Sequence, residues 1–348
     1  MQNDKTVGTL YGIEMFRGLA AISVVIYHIA RHIELNFGYF PFTRITEVGY
    51  TGVDFFFVLS GFIIAHIHRV DIGTPAALGR YARQRFTRIY PFYWFVLLMT
   101  LGLLVAGGNH ALPGGLNMIK NLLLLPLAEP LVGVSWSLPY EVFFYFLFAC
   151  LIINARLGFI LLAAWLFANL VLVYGIADHR LQIPVIISPH TIQFFIGMLA
   201  ARLVARPPMF APRAAFGAGL ALFIGSMVVE LAGGLVPYGS AGRIYYALGA
   251  GLMIIGCVQY ETRYGLPKPW LGRIIGRSSY SLYLTHLMVN GILYKILQSA
   301  GLWTRLPAWV LAILLITGAV VAGCLLSYWV EIPLMRMLRR QLAGVRGN

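Results

Sequence analysis

Arg17 and His28 stand eleven residues apart in one apolar stretch. At about 100° per residue this makes three turns plus about 20°, so on a helix both project from one stripe, about 16 Å apart along the axis. A charge inside hydrocarbon is costly and asks for a partner or a task. Arg17 could snorkel to the headgroups or pair with Glu14 one turn back. His28 could be a structural hydrogen-bonding residue or a base. Asp54 lies among aromatics in Gly52-Val53-Asp54-Phe55-Phe56-Phe57, and Glu141 follows Ser137 by one turn in Ser135-Trp136-Ser137-Leu138-Pro139-Tyr140-Glu141. A carboxylate beside an imidazole fixes its tautomer and raises its basicity, as a general base requires. Ser, Pro and an acid in that order also make an ordinary helix start, and both readings of Ser137 and Glu141 stay open.

Four arginines fall between Arg80 and Arg88. They could be a positively charged anchor for anionic lipid. Arg85 and Arg88, three apart, share a helix face and could grip a phosphorylated ligand through paired forks. His286 sits among hydroxyls in Ser278-Ser279-Tyr280-Ser281-Leu282-Tyr283-Leu284-Thr285-His286, as either a satisfied structural histidine or a site residue.

The elements that must carry these groups are membrane spans. Of 348 residues, 59% are hydrophobic and only 11% charged, against about 25% charged in soluble domains, which excludes a water-soluble globule. Apolar runs recur that can cross a core of about 30 Å. Hydropathy predicts ten spans: Ile13 to Ile33, Tyr50 to His68, Tyr90 to Gly107, Val134 to Ile153, Leu157 to Ile176, His190 to Ala205, Ala214 to Gly233, Ile244 to Tyr260, Ser278 to Gln298 and Ala308 to Val330. Met118 to Leu125, stopped by Pro126, is too short to cross and reads as re-entrant or interfacial. Counted from the ends of their runs, His28, Asp54 and Glu141 all lie roughly 7 to 10 Å below the outer boundary, which suggests a polar cavity open outward.

The formal net charge is +14, yet the basic residues fall in alternate short loops, which argues for topology and against nucleic acid. With Arg17 set aside, 18 basic residues, from Lys5 through Arg156 to Arg346, lie on the side of the termini, and 7, including Lys120, Arg180 and Arg243, on the other. Both termini are therefore expected in the cytoplasm, in an all-α bundle of about ten helices forming one membrane domain over residues 1–348, with a cytoplasmic tail from about 331. Cys150, Cys257 and Cys324 sit inside apolar runs and read as core residues, without disulfide or metal. The first span is expected to remain uncleaved.

Taken together, the run Gly12-Ile13-Glu14-Met15-Phe16-Arg17-Gly18-Leu19-Ala20-Ala21 leading to His28, the Gly-Val-Asp-Phe-Phe-Phe-Val-Leu-Ser-Gly-Phe segment, Arg-Phe-Thr-Arg-Ile-Tyr-Pro, Ser-Trp-Ser-Leu with its Glu, and the late Tyr-Ser-Leu-Tyr-Leu-Thr-His resemble the acyltransferase-3 family of membrane O-acyltransferases. The likeness spans residues 8 to about 335. It implies a ten-helix bundle that moves an acyl group, usually acetyl from cytoplasmic acetyl-CoA, to a glycan on the far side, as in the bacterial inner membrane. Arg17 and His28 match the family's Arg, ten residues, His signature; Arg85 and Arg88 match the pair thought to hold the CoA donor; Ser137 and Glu141 match its Ser-x-x-x-Glu element. The short chain looks most like the exopolysaccharide-modifying branch.

The reaction so expected has CoA phosphates on Arg85 and Arg88. His28, poised by Asp54 or Glu141, takes the proton of a sugar hydroxyl, and the alkoxide attacks the thioester. Arg17 steadies the arm or the thioester oxygen, and Trp136, Ser137 and His286 contact the acceptor, an exopolysaccharide or its lipid-linked oligosaccharide precursor. A route through acyl-His28 stays open, as do dimerisation and two other classes: a transporter using these groups as a relay, and a glycan-export partner without chemistry.

Overall fold

The structure is a computed structural model, and it describes residues 10–107, 114–175, 185–207 and 211–344. Lys5, Arg180 and Arg346 of the charge count, and the expected span end Ile176, lie outside the described residues. All regular structure in them is helical. In chain order the α-helices are α1 (Tyr11–Phe37), the single turn α2 (Thr43–Thr46), α3 (Thr51–His68), α4 (Leu78–Ala106), α5 (Gly115–Leu123), α6 (Leu138–Ile153), α7 (Ala155–Asn169), α8 (Thr191–Val204), α9 (Pro212–Leu231), α10 (Ser240–Tyr264), α11 (Trp270–Arg277), α12 (Ser279–Ser299), α13 (Ala308–Leu326) and α14 (Ile332–Gly344).

A helix covers each of the ten expected spans. Eight helical segments among the described residues are long and apolar enough to cross a membrane. The two other expected spans fall on α8, which is shorter, and on α12, whose polar residues dilute its hydropathy. The chain is a multi-pass, all-helical membrane protein. Met118 to Leu125 is the body of α5, a nine-residue helix closed by Leu124 in the left-handed conformation.

The chain divides into two compact units. The described residues of the first fall within Met1–Val70, Leu166–Leu181 and Pro189–Ser279, those of the second within Asp71–Trp165, Gln182–Ser188 and Tyr280–Asn348.

In the first unit α3 packs along α8, α9 along α10, and α1 against α3 and α11. Its core joins Phe16, Ala20, Phe55, Val58, Leu59, Phe62, Tyr246 and Ile254. Lipid chains are as apolar as these side chains, so close backbone approach must do much of the work of holding helices together. Gly61 and Gly197 supply it: a Cβ on Gly61 would collide with the carbonyl oxygen of Phe194, and one on Gly197 with that of Val58. Gly197→Ala should therefore push α3 from α8 and cost about 1–3 kcal/mol, read as a lower melting temperature of the detergent-solubilised protein; an unchanged melt would show that this seam carries no weight.

In the second unit α4 packs against α6 and α14, and a π-helical turn, Ser327–Glu331, joins α13 to α14. The arginine segment and the expected third span form one helix, because Arg83, Arg85, Gln84 and Ala82 are good helix formers leading directly into apolar sequence. Pro91 sits inside it and cannot donate to the carbonyl four residues back.

Candidate functional site

Arg17, His28 and Asp54 belong to the first unit; Arg85, Arg88, Trp136, Ser137, Glu141 and His286 belong to the second.

His28 is half-buried on α1, and its Nδ1 lies 2.9 Å from the carbonyl oxygen of Val24, one turn back. A carbonyl only accepts, so Nδ1 must carry the hydrogen, and the lone pair of the neutral ring is on Nε2. The backbone thus does the tautomer-fixing that the sequence assigned to a carboxylate. Arg17 is partly buried three turns below, and its neighbour Glu14 makes its ion pair with Arg277 of α11 at 3.7 Å.

Asp54 does not share the depth of His28. The α3 end packs on α1 with Gly49 against Ser23 and Tyr27, and Gly52 against Ala20 and Val24. Two residues further, Asp54 comes abreast of Ala20, roughly 12 Å along α1 from His28. Counting from the ends of apolar runs missed this because α1 continues to Phe37, past the hydropathy boundary.

Asp54 is instead fully buried in a charged knot. Arg243 Nη1 donates to its Oδ1 at 2.7 Å, and Gln193 Nε2 donates to the same oxygen at 2.5 Å. His190 Nδ1 lies 3.0 Å from Gln193 Oε1 and 3.7 Å from Asp54 Oδ1. Oδ2 has no hydrogen-bond partner among the described residues. A second buried carboxylate, Glu230, accepts from the hydroxyls of Tyr50 at 2.9 Å and Tyr246 at 2.7 Å. The Tyr50 hydroxyl in turn accepts from the Tyr238 backbone N–H, and the Tyr238 and Tyr27 hydroxyls are 2.7 Å apart, next to His28 in sequence.

Sequence reasoning missed Arg243, Gln193, His190 and Glu230. A signal existed for Arg243: a buried Asp needs a cation, and the sparse outer-side basic residues include one in the turn before a span.

In the second unit the tyrosines organise the predicted residues. The guanidinium of Arg85 lies 5.9 Å and 5.7 Å from the rings of Tyr81 and Tyr145, and that of Arg88 5.0 Å from the ring of Tyr280, all within cation–π range. The Tyr145 hydroxyl donates to Glu141, so one side chain touches both Arg85 and the acid. Arg88 Nη1 also meets the buried Glu331 at 2.8 Å. Ser137 stands at the position before α6 without a side-chain cap; its hydroxyl pairs with Val134 O and, at 2.9 Å, with the Tyr283 hydroxyl. Helix capping therefore does not account for Ser137. His286 is fully buried, its Nδ1 2.7 Å from Tyr283 O. Trp136 and Tyr140, edge to face at 6.0 Å, line a cavity of ≈ 250 Å³ with Lys120, Asn121, Ser135 and Pro139. Among the described residues no group of three or more His, Cys, Asp or Glu could hold a metal ion.

The fold is that of a multi-pass helical protein, with a histidine bonded to its own helix on α1 in one unit and a tyrosine-flanked arginine pair on α4 in the other. The acyltransferase domain of the acyltransferase-3 family matches residues 10–329, and the chain belongs to that family. It is an acyltransferase. Among curated proteins it is similar to the exopolysaccharide production protein ExoZ of Rhizobium meliloti (strain 1021), 28% identical over 322 residues that cover 86% of this chain and 95% of the relative. It is 26% identical to the acyltransferase MdmB of Streptomyces mycarofaciens over 367 residues, covering 93% of this chain and 91% of that one. No solved structure matches it.

Proposed function

We propose that this chain is a ten-span enzyme of the bacterial inner membrane, working as one catalytic domain with both termini in the cytoplasm, and that it transfers acetyl from acetyl-CoA to a hydroxyl of an extracytoplasmic glycan. The likeness to an exopolysaccharide production protein along nearly its whole length supports the glycan class. The observation that carries the chemistry is the Nδ1 contact of His28 with Val24 O, which leaves the basic lone pair on Nε2.

In this reading Nε2 accepts the proton of the acceptor hydroxyl as its oxygen attacks the thioester carbon; the C–S bond breaks and the imidazolium returns the proton to the CoA thiolate, which balances the step. Arg85 and Arg88 hold the phosphates of the donor. Arg17 stabilises charge developing on the thioester oxygen. Asp54 and Glu141 are the carboxylates assigned to the catalytic step, the first held by Arg243, the second by Tyr145. Trp136, with Tyr140 at the cavity, gives a flat apolar face for a sugar ring; Ser137 and His286, which do not line that cavity, are assigned to the acceptor by this proposal. No metal takes part in this scheme.

Purified protein in lipid nanodiscs, supplied with radiolabelled acetyl-CoA and deacetylated surface polysaccharide from its host, should transfer label to the glycan. Absence of transfer together with solute flux in liposomes would instead establish a transporter.

A further inference from the structure

We propose that the C-terminal helix completes the acyl-donor site: Glu331 is a positioning residue that aims Arg88, and Arg339 is a third phosphate-binding arginine beside Arg85 and Arg88. This rests on the proposed use of a phosphorylated donor and adds residues that the resemblance does not assign.

Glu331 is 1% exposed and closes the π-helical turn between α13 and α14. Its Oε1 takes Arg88 Nη1 at 2.8 Å, and its Oε2 accepts from the Ser327 hydroxyl at 3.0 Å. A π turn carries one extra residue, departs from regular α-helical hydrogen bonding, and is frequent at functional sites. Here the side chain presented is the carboxylate that pins Arg88. The Tyr280 ring lies 5.0 Å from the same guanidinium, and the Tyr280 hydroxyl is tied to Ile89 O at 2.9 Å, so the fork is held on two sides. Arg88 is still 23% exposed along its side chain, and an arginine has five donor hydrogens, of which the Glu331 contact takes one.

Beyond Glu331, α14 packs on α4. Arg339, exposed on α14, stands within electrostatic range of both Arg88 and Arg85. The carboxylates at hand are Glu331, on Arg88, and Glu141, reached from Arg85 through Tyr145, so with Arg339 in range one positive charge is in excess. Arg85 and Arg88 are partly buried and held by ring and carboxylate contacts, so a third, exposed guanidinium within their range adds a repulsion that a bound anion offsets. The chemistry that repays it is a ligand carrying several phosphates, bound through charge-assisted forks. An acyl thioester of a nucleotide has that chemistry; so does a film of anionic lipid headgroups. We assign the nucleotide, because a single lipid surface does not require a guanidinium fixed by a buried Glu.

The test compares two donors, acetyl-CoA and S-acetyl-pantetheine, which lacks every nucleotide phosphate. The full-length protein is assayed in nanodiscs of phosphatidylcholine and, separately, of phosphatidylcholine with phosphatidylglycerol. Arg339→Ala should lower the ratio of kcat/KM for acetyl-CoA to that for S-acetyl-pantetheine about tenfold, through KM, in both lipid mixtures. Glu331→Gln should lower the same ratio about three- to tenfold, again through KM. If Glu331→Gln does not assemble, Ser327→Ala, which frees Oε2 from its donor, should move the ratio in the same direction by less. A ratio unchanged in Arg339→Ala overturns the proposal, and so does an effect confined to nanodiscs containing anionic lipid, which would make Arg339 a headgroup anchor. Wild-type protein that turns over neither donor would remove the acetyl-CoA reading itself, whereas active wild type with unshifted variants removes only this inference.

Discussion

His28→Ala should reduce kcat by at least about 100-fold, the lower range of what a positioned general base contributes, while the protein remains monodisperse and melts close to the wild-type temperature. The reduction is expected in kcat rather than in KM for the donor, because the arginines proposed to hold the donor phosphates lie on other helices. Stability is expected to hold because His28 is only half-buried and its Nδ1 bond is made within its own helix, to Val24 O. Losing that bond strands a carbonyl that already accepts within the helix. Added imidazole should restore part of the rate to the Ala variant, since the gap left by the ring can admit the free base. Residual transfer within a few-fold of wild type would remove His28 from the catalytic set. The direct and two-step routes separate in a single-turnover experiment: with acetyl-CoA alone and no glycan, direct transfer releases no burst of CoA, and an acyl-His28 route releases one equivalent.

What the sequence disclosed and what it hid divide along a physical line. Helices were legible because hydropathy sums over about twenty residues: a helix falls on each expected span, from α1 through α13, and eight segments among the described residues are long and apolar enough to cross. The stripe joining Arg17 and His28 was legible because it lies within one helix, where 3.6 residues per turn fixes relative direction. Depth between different helices was not. Asp54 came out abreast of Ala20 rather than of His28, since small residues at Gly49 and Gly52 decide where α3 slides along α1, and no count from a loop contains that packing. Partners across the fold were hidden for the same reason. Arg243 looked like a loop cation, and Glu230 and Glu331 drew no reading at all. Each is identified only by what meets it: Asp54, two tyrosine hydroxyls and Arg88 respectively. The alternative for Ser137, a plain helix cap, was settled by direction alone, as its hydroxyl points to Tyr283 and not to the first-turn N–H groups.

Arg243→Ala should be among the most destabilising single substitutions in the first unit. Asp54 is fully buried, and Arg243, 11% exposed along its side chain, supplies the only full positive charge on Oδ1, among the described residues, that does not depend on protonation. Taking a charge out of water is expensive, and removing one partner of a buried pair leaves the other uncompensated, a loss of about 3–5 kcal/mol. Gln193 would remain as a donor to Asp54, but a neutral amide offsets only a fraction of that cost. Adding Asp54→Asn to Arg243→Ala removes the buried charge and should recover most of the lost melting temperature, because the carbonyl oxygen of the new side-chain amide can still accept from Gln193. A single variant that melts like wild type would show that the pair contributes nothing net. The double variant then separates structure from chemistry at Asp54. If the carboxylate serves the transfer step as proposed, the restored protein stays slow; if it transfers acetyl at the wild-type rate, Asp54 is a pin joining α3, α8 and α10 and leaves the catalytic set.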